Sequence, residues 1–441
     1  MIFFNCMFSI YCQLYFRRMS HMLKNMTCTL LVLFLLIGPP CFADDWPQFR
    51  GPNRDGVSRE TGLLKQWPAS GPKLLWAVSE NLGEGYSSAA ISDGIIFVTG
   101  MIETQGTLFA FDLEGKLKWK KIYGPEWRNA WKGTRSTPTI DSSKVYVHSG
   151  TGVVYCYGTQ TGNLIWTRDV AGDYEGIQTE WGWAESLLIV DDKVICTPGG
   201  KKATMVALNK DTGEVVWDKP NIGEQHAFCS PILIERGGKK IVISRTELIF
   251  FGVNVENGDI LWTYDCEELM KPAKHPHVHP NLPIYYNGNI YITSGYDAGG
   301  FMFKVSEDGN SIELKWHEKT LDVFLGGAVF VNDHIYGANF ARNGRSEWIS
   351  LNWDTGKPKY KAQWNRNQGV ILYADDRLYC YDEKTGELAI VSVGPEFRVI
   401  SSFKIQKSNA QLYWAHPSIS DGRLYVRHGR HMWCYSIAEN K

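Results

Sequence analysis

Three histidines, His275, His277 and His279, stand at alternating positions in H-P-H-V-H-P. In an extended segment this spacing aims all three imidazoles to one side and could make a metal face, with His226 as an outside candidate. The two prolines argue instead for a rigid connection whose histidines pack or meet solvent. A second group is spread over several loops: Arg135 in G-T-R-S, Trp183 and Glu185 in W-G-W-A-E-S, and Trp414 and His416 in Y-W-A-H-P. Brought to one mouth, a carboxylate, a guanidinium and two indoles could bind a planar anionic cofactor. The preferred reading is plainer: Arg135 and Glu185 pair with each other as a structural ion pair on the rim. No nucleophile elbow, phosphate loop or H-E-x-x-H occurs, so hydrolase and nucleotide chemistry have little support.

What would position these groups is a repeat. A polar turn ending in Gly, then three residues, then an aromatic returns about every 45 residues, as in A-L-N-K-D-T-G-E-V-V-W (207–217), C-Y-G-T-Q-T-G-N-L-I-W (156–166) and G-V-N-V-E-N-G-D-I-L-W (252–262). Within 136–166 the chain splits into four short β-rich runs separated by tight-turn residues, the pattern of one propeller blade. The same pattern fits 87–119, 186–217, 229–262, 282–316, 327–360 and 369–405. An eighth copy from 416 stops after three strands, and K-L-L-W-A-V (73–78) supplies the missing outer strand. Pairing the two would close the ring and leave no open sheet edge. The spacing therefore predicts an all-β, eight-bladed propeller. Its outer strands would be marked by aromatics at 76, 119, 166, 217, 262, 316, 360 and 403, and its axis by small residues such as Ser88, Ser136, Ser186 and Gly327, with His416 the exception.

Residues 1–43 carry Arg17, Arg18 and Lys24 but no acid, then the apolar run T-L-L-V-L-F-L-L-I-G and a P-P-C-F-A end. This is the layout of a secretory signal, cleaved after Ala43, with an apolar run too short to span a membrane. The expected product is one folded domain, residues 44–441, exported to the periplasm or beyond. Its formal charge would be about −4, since three positive charges leave a chain of net −1. Such a surface offers no footprint for nucleic acid. Six cysteines remain (Cys156, Cys196, Cys229, Cys266, Cys380, Cys434), spread roughly one to a copy in contexts such as Y-C-Y. They read as free, small, buried positions.

The repeated A-x-N/D-x-x-T-G-x-x-x-W signature resembles the tryptophan-docking repeat of pyrroloquinoline-quinone (PQQ) dehydrogenases and their relatives. The stretch D-W-P-Q-F-R-G-P-N-R-D-G (45–56) is similar to the opening of exported PQQ-like propeller proteins abundant in planctomycetes and allied groups. The resemblance covers nearly all of 44–441 and implies one of two functions. The enzymes of this fold hold PQQ and Ca²⁺ over the channel and oxidise alcohols or sugars, which would place Arg135, Trp183 and Glu185 near the quinone. The non-catalytic branch, typified by the outer-membrane assembly propeller, binds protein partners through its faces. This chain lacks the adjacent-cysteine element and the long insertions of the enzymes. The expectation is a monomeric scaffold for envelope protein or saccharide partners, without a cofactor. On either reading the docking tryptophans Trp119, Trp166, Trp217 and Trp262 pack between blades.

Overall fold

Asp93-Gly94, Asn287-Gly288, Asn332-Asp333, Asp375-Asp376 and Asp421-Gly422 hold positive φ at both residues. This is the backbone of the type I′ turn, whose twist matches that of paired strands. Each such turn joins the first two strands of a four-stranded antiparallel sheet. The computed structural model describes residues 45–79, 81–219, 221–271, 275, 278–341, 345–406 and 412–439. The expected signal sequence lies outside them. Among the described residues there are eight such sheets. Seven run in chain order, at 90–125 (blade I), 139–169 (II), 188–217 (III), 232–265 (IV), 284–318 (V), 328–362 (VI) and 369–404 (VII). Blade VIII takes its inner three strands from 418–436 and its outer strand from Lys73–Val78, which pairs antiparallel with His431–Ser436 (Trp76 opposite Cys434, Val78 opposite Met432). The chain is thus the expected eight-bladed propeller, closed by its N-terminal strand.

The outer strands show why the repeat has its form. In blade III, Ala207 faces Trp217 and Leu208 faces Val215, so one residue, Val216, is bulged out just before the aromatic. The bulge turns the indole toward the next blade, where Trp217 Nε1 donates to Val255 O at 2.8 Å. Trp76, Trp119 and Trp166 make the same bond to Leu113, Thr159 and Lys210. The glycine of each receiving turn is needed for close approach: at Gly213 (φ +76°) a Cβ would sit 2.8 Å from the Trp166 ring. Trp262 departs from the pattern. Its ring lies over Gly252 of its own blade and its buried Nε1, like that of Trp316, finds no acceptor among the described residues.

Blade VII corrects one sequence expectation. Its bulge falls at Ile400, between Val399 and Ser401, so Ser401 occupies the docking position and Phe403 lies two residues beyond. The indole that packs on this blade is Trp67, with Tyr379 and Phe403 at 5.8 and 5.3 Å and its Nε1 on Leu388 O. Buried clusters otherwise straddle neighbouring blades, as where Phe97, Leu108 and Ala110 of blade I meet Val145, Val147 and Tyr157 of blade II. The six cysteines are free and buried, as the sequence suggests, although Cys229 and Cys266 both flank blade IV.

The segment ahead of Lys73 crosses one end of the ring. Trp46 exchanges backbone bonds with Ile91 of blade I, Pro47 O accepts from Ile140 of blade II, and Ser58 N donates to Tyr373 O of blade VII. Glu60 caps the backbone N–H groups of Asp421 and Gly422, in the first turn of blade VIII. All these contacts are made on the face that carries the first-to-second strand turns. That end of the channel is plugged.

Candidate functional site

At the axis the innermost strands are tied together by their small polar residues. Ser88 N donates to Thr137 Oγ1, Thr137 N to Ser186 Oγ and Ser186 N to Ser230 Oγ, at 2.8 to 3.0 Å. Two arginines of the plug fill the space inside this belt. Arg54 reaches Ser186 O and Pro231 O, both at 2.6 Å, linking blades III and IV. Arg50 donates to Ala328 O (2.7 Å), more distantly to Gly326 O and Ile371 O, and to His416 Nδ1 at 3.2 Å. Because His416 Nε2 lies 2.9 Å from Leu325 O, Nε2 carries the proton and Nδ1 accepts from Arg50. Burial, reinforced by the Arg50 charge, pushes the His416 pKa down to about 3. The axial histidine is therefore neutral, and it occupies a place where other blades have Ser or Gly because it reaches Arg50.

Above the plug, on the opposite face, the channel opens into a cup of about 480 Å³. Phe49 lines it from the plug and packs on His416 at 4.8 Å. One wall is a set of three rings, with Trp414 at 4.6 Å from Trp131 and 5.4 Å from Tyr86. Trp181 and Phe228 line a second side, and Tyr296, Phe324 and Phe340, all within about 5 Å of one another, line a third. The polar groups stand mainly on blade VII. Glu383 Oε2 accepts from Trp414 Nε1 at 2.9 Å and from Gln368 Nε2 at 3.1 Å, with Lys384 exposed beside it.

Of the residues singled out in the sequence, Arg135, Trp414 and His416 line this cup. Trp183 and Glu185 do not. They lie behind its wall with His226, Cys229 and Arg245 around a closed, buried void. The expected Arg135–Glu185 pair does not form. The Arg135 guanidinium is turned to the backbone of its own loop, donating to Gly133 O, Ala130 O and Trp131 O at 2.6 to 3.1 Å. It lies over the Trp127 ring, and burial lowers its pKa to about 10. Glu185 Oε1 accepts from Thr197 N at 2.6 Å and faces His148 Nδ1 at 3.6 Å. Burial pushes Glu185 up to about 7 and His148 down to about 4, so the close contact is between groups that are each held toward neutrality.

Of the histidine triplet, His277 lies outside the described residues, and Val278 N donates to His275 O. His275 packs edge-on to Tyr296, while His279 is fully buried with Nε2 on Glu247 O at 2.9 Å. Among the described residues no group of three or more His, Cys, Asp or Glu could hold a metal ion. The cup does not fit PQQ with Ca²⁺ either. Calcium takes six to eight oxygen ligands, whereas among the described residues Glu383 is the one acid lining the cup and one of its oxygens is already committed.

Sequence reasoning missed Phe49, Arg50, Arg54 and Glu383. The first three sit in W-P-Q-F-R-G-P-N-R-D-G, which the sequence marks as distinctive without showing that it enters the ring. Glu383 stands in a hairpin of ordinary composition.

Comparison with known proteins gives the following likenesses. A family model described as outer membrane protein assembly factor BamB matches residues 124–359. The outer membrane protein assembly factor BamB of Shewanella oneidensis is 23% identical over 57% of this chain and 65% of its own length. The quinoprotein alcohol dehydrogenase PedH of Pseudomonas putida is 22% identical over 65% of this chain and 48% of its own. The chain thus spans less than two thirds of either relative. The crystal structure of BamB from Moraxella catarrhalis superposes with a TM-score of 0.60 at 12% identity, covering 83% of this chain and all of that one. No helix among the described residues is long and apolar enough to cross a membrane.

Proposed function

The chain belongs to the outer membrane protein assembly factor BamB family, and from that premise we propose that it is an exported, non-catalytic propeller serving as a binding scaffold in the envelope. Its cup would engage a protein or saccharide partner. The observation that carries this reading is how the polar groups around the cup are used. Arg135 is spent on three carbonyls, His416 is a neutral strut between Arg50 and Leu325, and Glu185 is sealed behind the wall. What faces the opening is aromatic surface with a short polar wall, the composition of a binding site. The signal-like layout of residues 1–43 and relatives named as outer membrane assembly factors support an envelope location.

The test has two arms. Purified protein is titrated with PQQ and Ca²⁺ by absorbance and calorimetry, with no saturable binding expected. In cells, a photo-crosslinking residue at Trp131, on the cup rim, should trap a discrete partner, while one at Lys116, on the outer edge of blade I, should not. One-to-one PQQ binding with alcohol oxidation would overturn the proposal in favour of a dehydrogenase.

A further inference from the structure

We infer that the group taken into the cup is a pyranose ring, either free or at the end of a glycan chain; this rests on the cup being the binding site, as proposed above. The argument is from what the lining can and cannot satisfy. An anion would meet Glu383 and find the guanidinium of Arg135 already bound to backbone, which leaves the exposed Lys384 as the remaining cation among the described lining residues. A cation would face Arg135 and Lys384. A wholly apolar ligand would strip water from the Glu383 carboxylate and return nothing to it. A sugar ring avoids all three penalties. Its axial C–H bonds make a face that packs on the negative face of an indole or phenyl ring, and its equatorial hydroxyls supply donors and acceptors around the edge.

The blade VII wall is built for that combination. Glu383 Oε2 holds the indole N–H of Trp414, which fixes the tilt of that ring, while Oε1 is left for a ligand hydroxyl. Platform and acceptor are therefore positioned by a single hydrogen bond. Trp131, 41% exposed and 4.6 Å from Trp414, extends the platform toward solvent, and Lys384 supplies a donor at the rim. The volume, about 480 Å³, suits one or two sugar rings and is too small for a folded partner.

Cellobiose, cellohexaose and the acyclic polyol sorbitol are compared on the purified full chain by saturation-transfer NMR and calorimetry. Cellobiose or cellohexaose is expected to bind and sorbitol, which has hydroxyls but no rigid ring face, is not; the tighter of the two identifies free sugar or chain end as the source. Trp131→Ala, at an exposed position, should weaken binding about 3- to 10-fold, the worth of one aromatic platform. Glu383→Gln should weaken it several-fold with the fold intact by circular dichroism. Absence of binding by both sugars at tens of millimolar, or binding indifferent to both substitutions, overturns the inference. A polypeptide crosslinked at the cup without sugar binding would remove the sugar and leave the scaffold. Sugar oxidation in the presence of PQQ would remove the scaffold and leave the sugar site.

Discussion

The buried pair of Glu185 and His148 sets a pH dependence with two opposing limbs. Glu185 is raised by burial to about 7 in the folded chain, so the folded state holds its proton more tightly than the unfolded one. The stability it contributes is present below its unfolded pKa and lost as pH rises toward 7, at about 1.4 kcal/mol per pH unit. His148, His226 and His416 are lowered, to about 4, 3 and 3, and their contribution is lost as pH falls below about 6.5. Glu185→Gln should remove the first limb alone. Melting temperatures recorded from pH 4 to 9 should show the wild type losing ground to this variant between about pH 4.5 and 7.5, then running parallel; a constant offset would mean Glu185 stays ionised when folded. None of this could be read from W-G-W-A-E-S. A Glu ahead of a strand looks the same whether it faces a channel or a sealed void, and only the packing of Trp183 and His226 around it separates the two.

At the level of the blade, the bulge, the indole and the glycine of the next turn act as one unit. Trp217→Ala should cost about 3–5 kcal/mol, as for other large buried aromatics, read from denaturant midpoints. Gly213→Ala should destabilise as well, since its Cβ would press on Trp166 at a backbone angle that alanine resists. In a Trp166→Ala background that penalty should shrink, giving a non-additive double-mutant cycle. Additive effects would show that the glycine serves its turn alone. This unit was the most legible part of the sequence, because it repeats and each copy confirms the phase of the others. Where a blade departs from the repeat, the reading slipped. An aromatic at 403 suggested a docking residue, but the bulge at Ile400 sets the register, and the indole comes from Trp67 in a segment with no repeat to read.

For the molecule as a whole, the plug decides what the channel can be. Deleting residues 45–72 while keeping Lys73–Val78 should leave the blades paired but remove the Arg50 and Arg54 bonds that tie blades III, IV, VI and VIII across the axis. The melting temperature should fall, and His416, freed of Arg50 and exposed to water, should titrate near 6.5 by NMR instead of about 3. An unchanged His416 titration would mean that the plug does not shape the cup. The ring was predictable and the plug was not, since a non-repeating segment takes its conformation from the surface it crosses. The pairing of Lys73–Val78 with His431–Ser436 also has a kinetic side. The strand Lys73–Val78 has no partner until His431–Ser436 has been made, so the closing contact joins segments more than 350 residues apart. Such separation carries a large loop-closure cost and slows folding. Until then an edge rich in Leu and Trp waits unpaired, and a chaperone that holds it would govern yield more than any stabilising substitution within the blades.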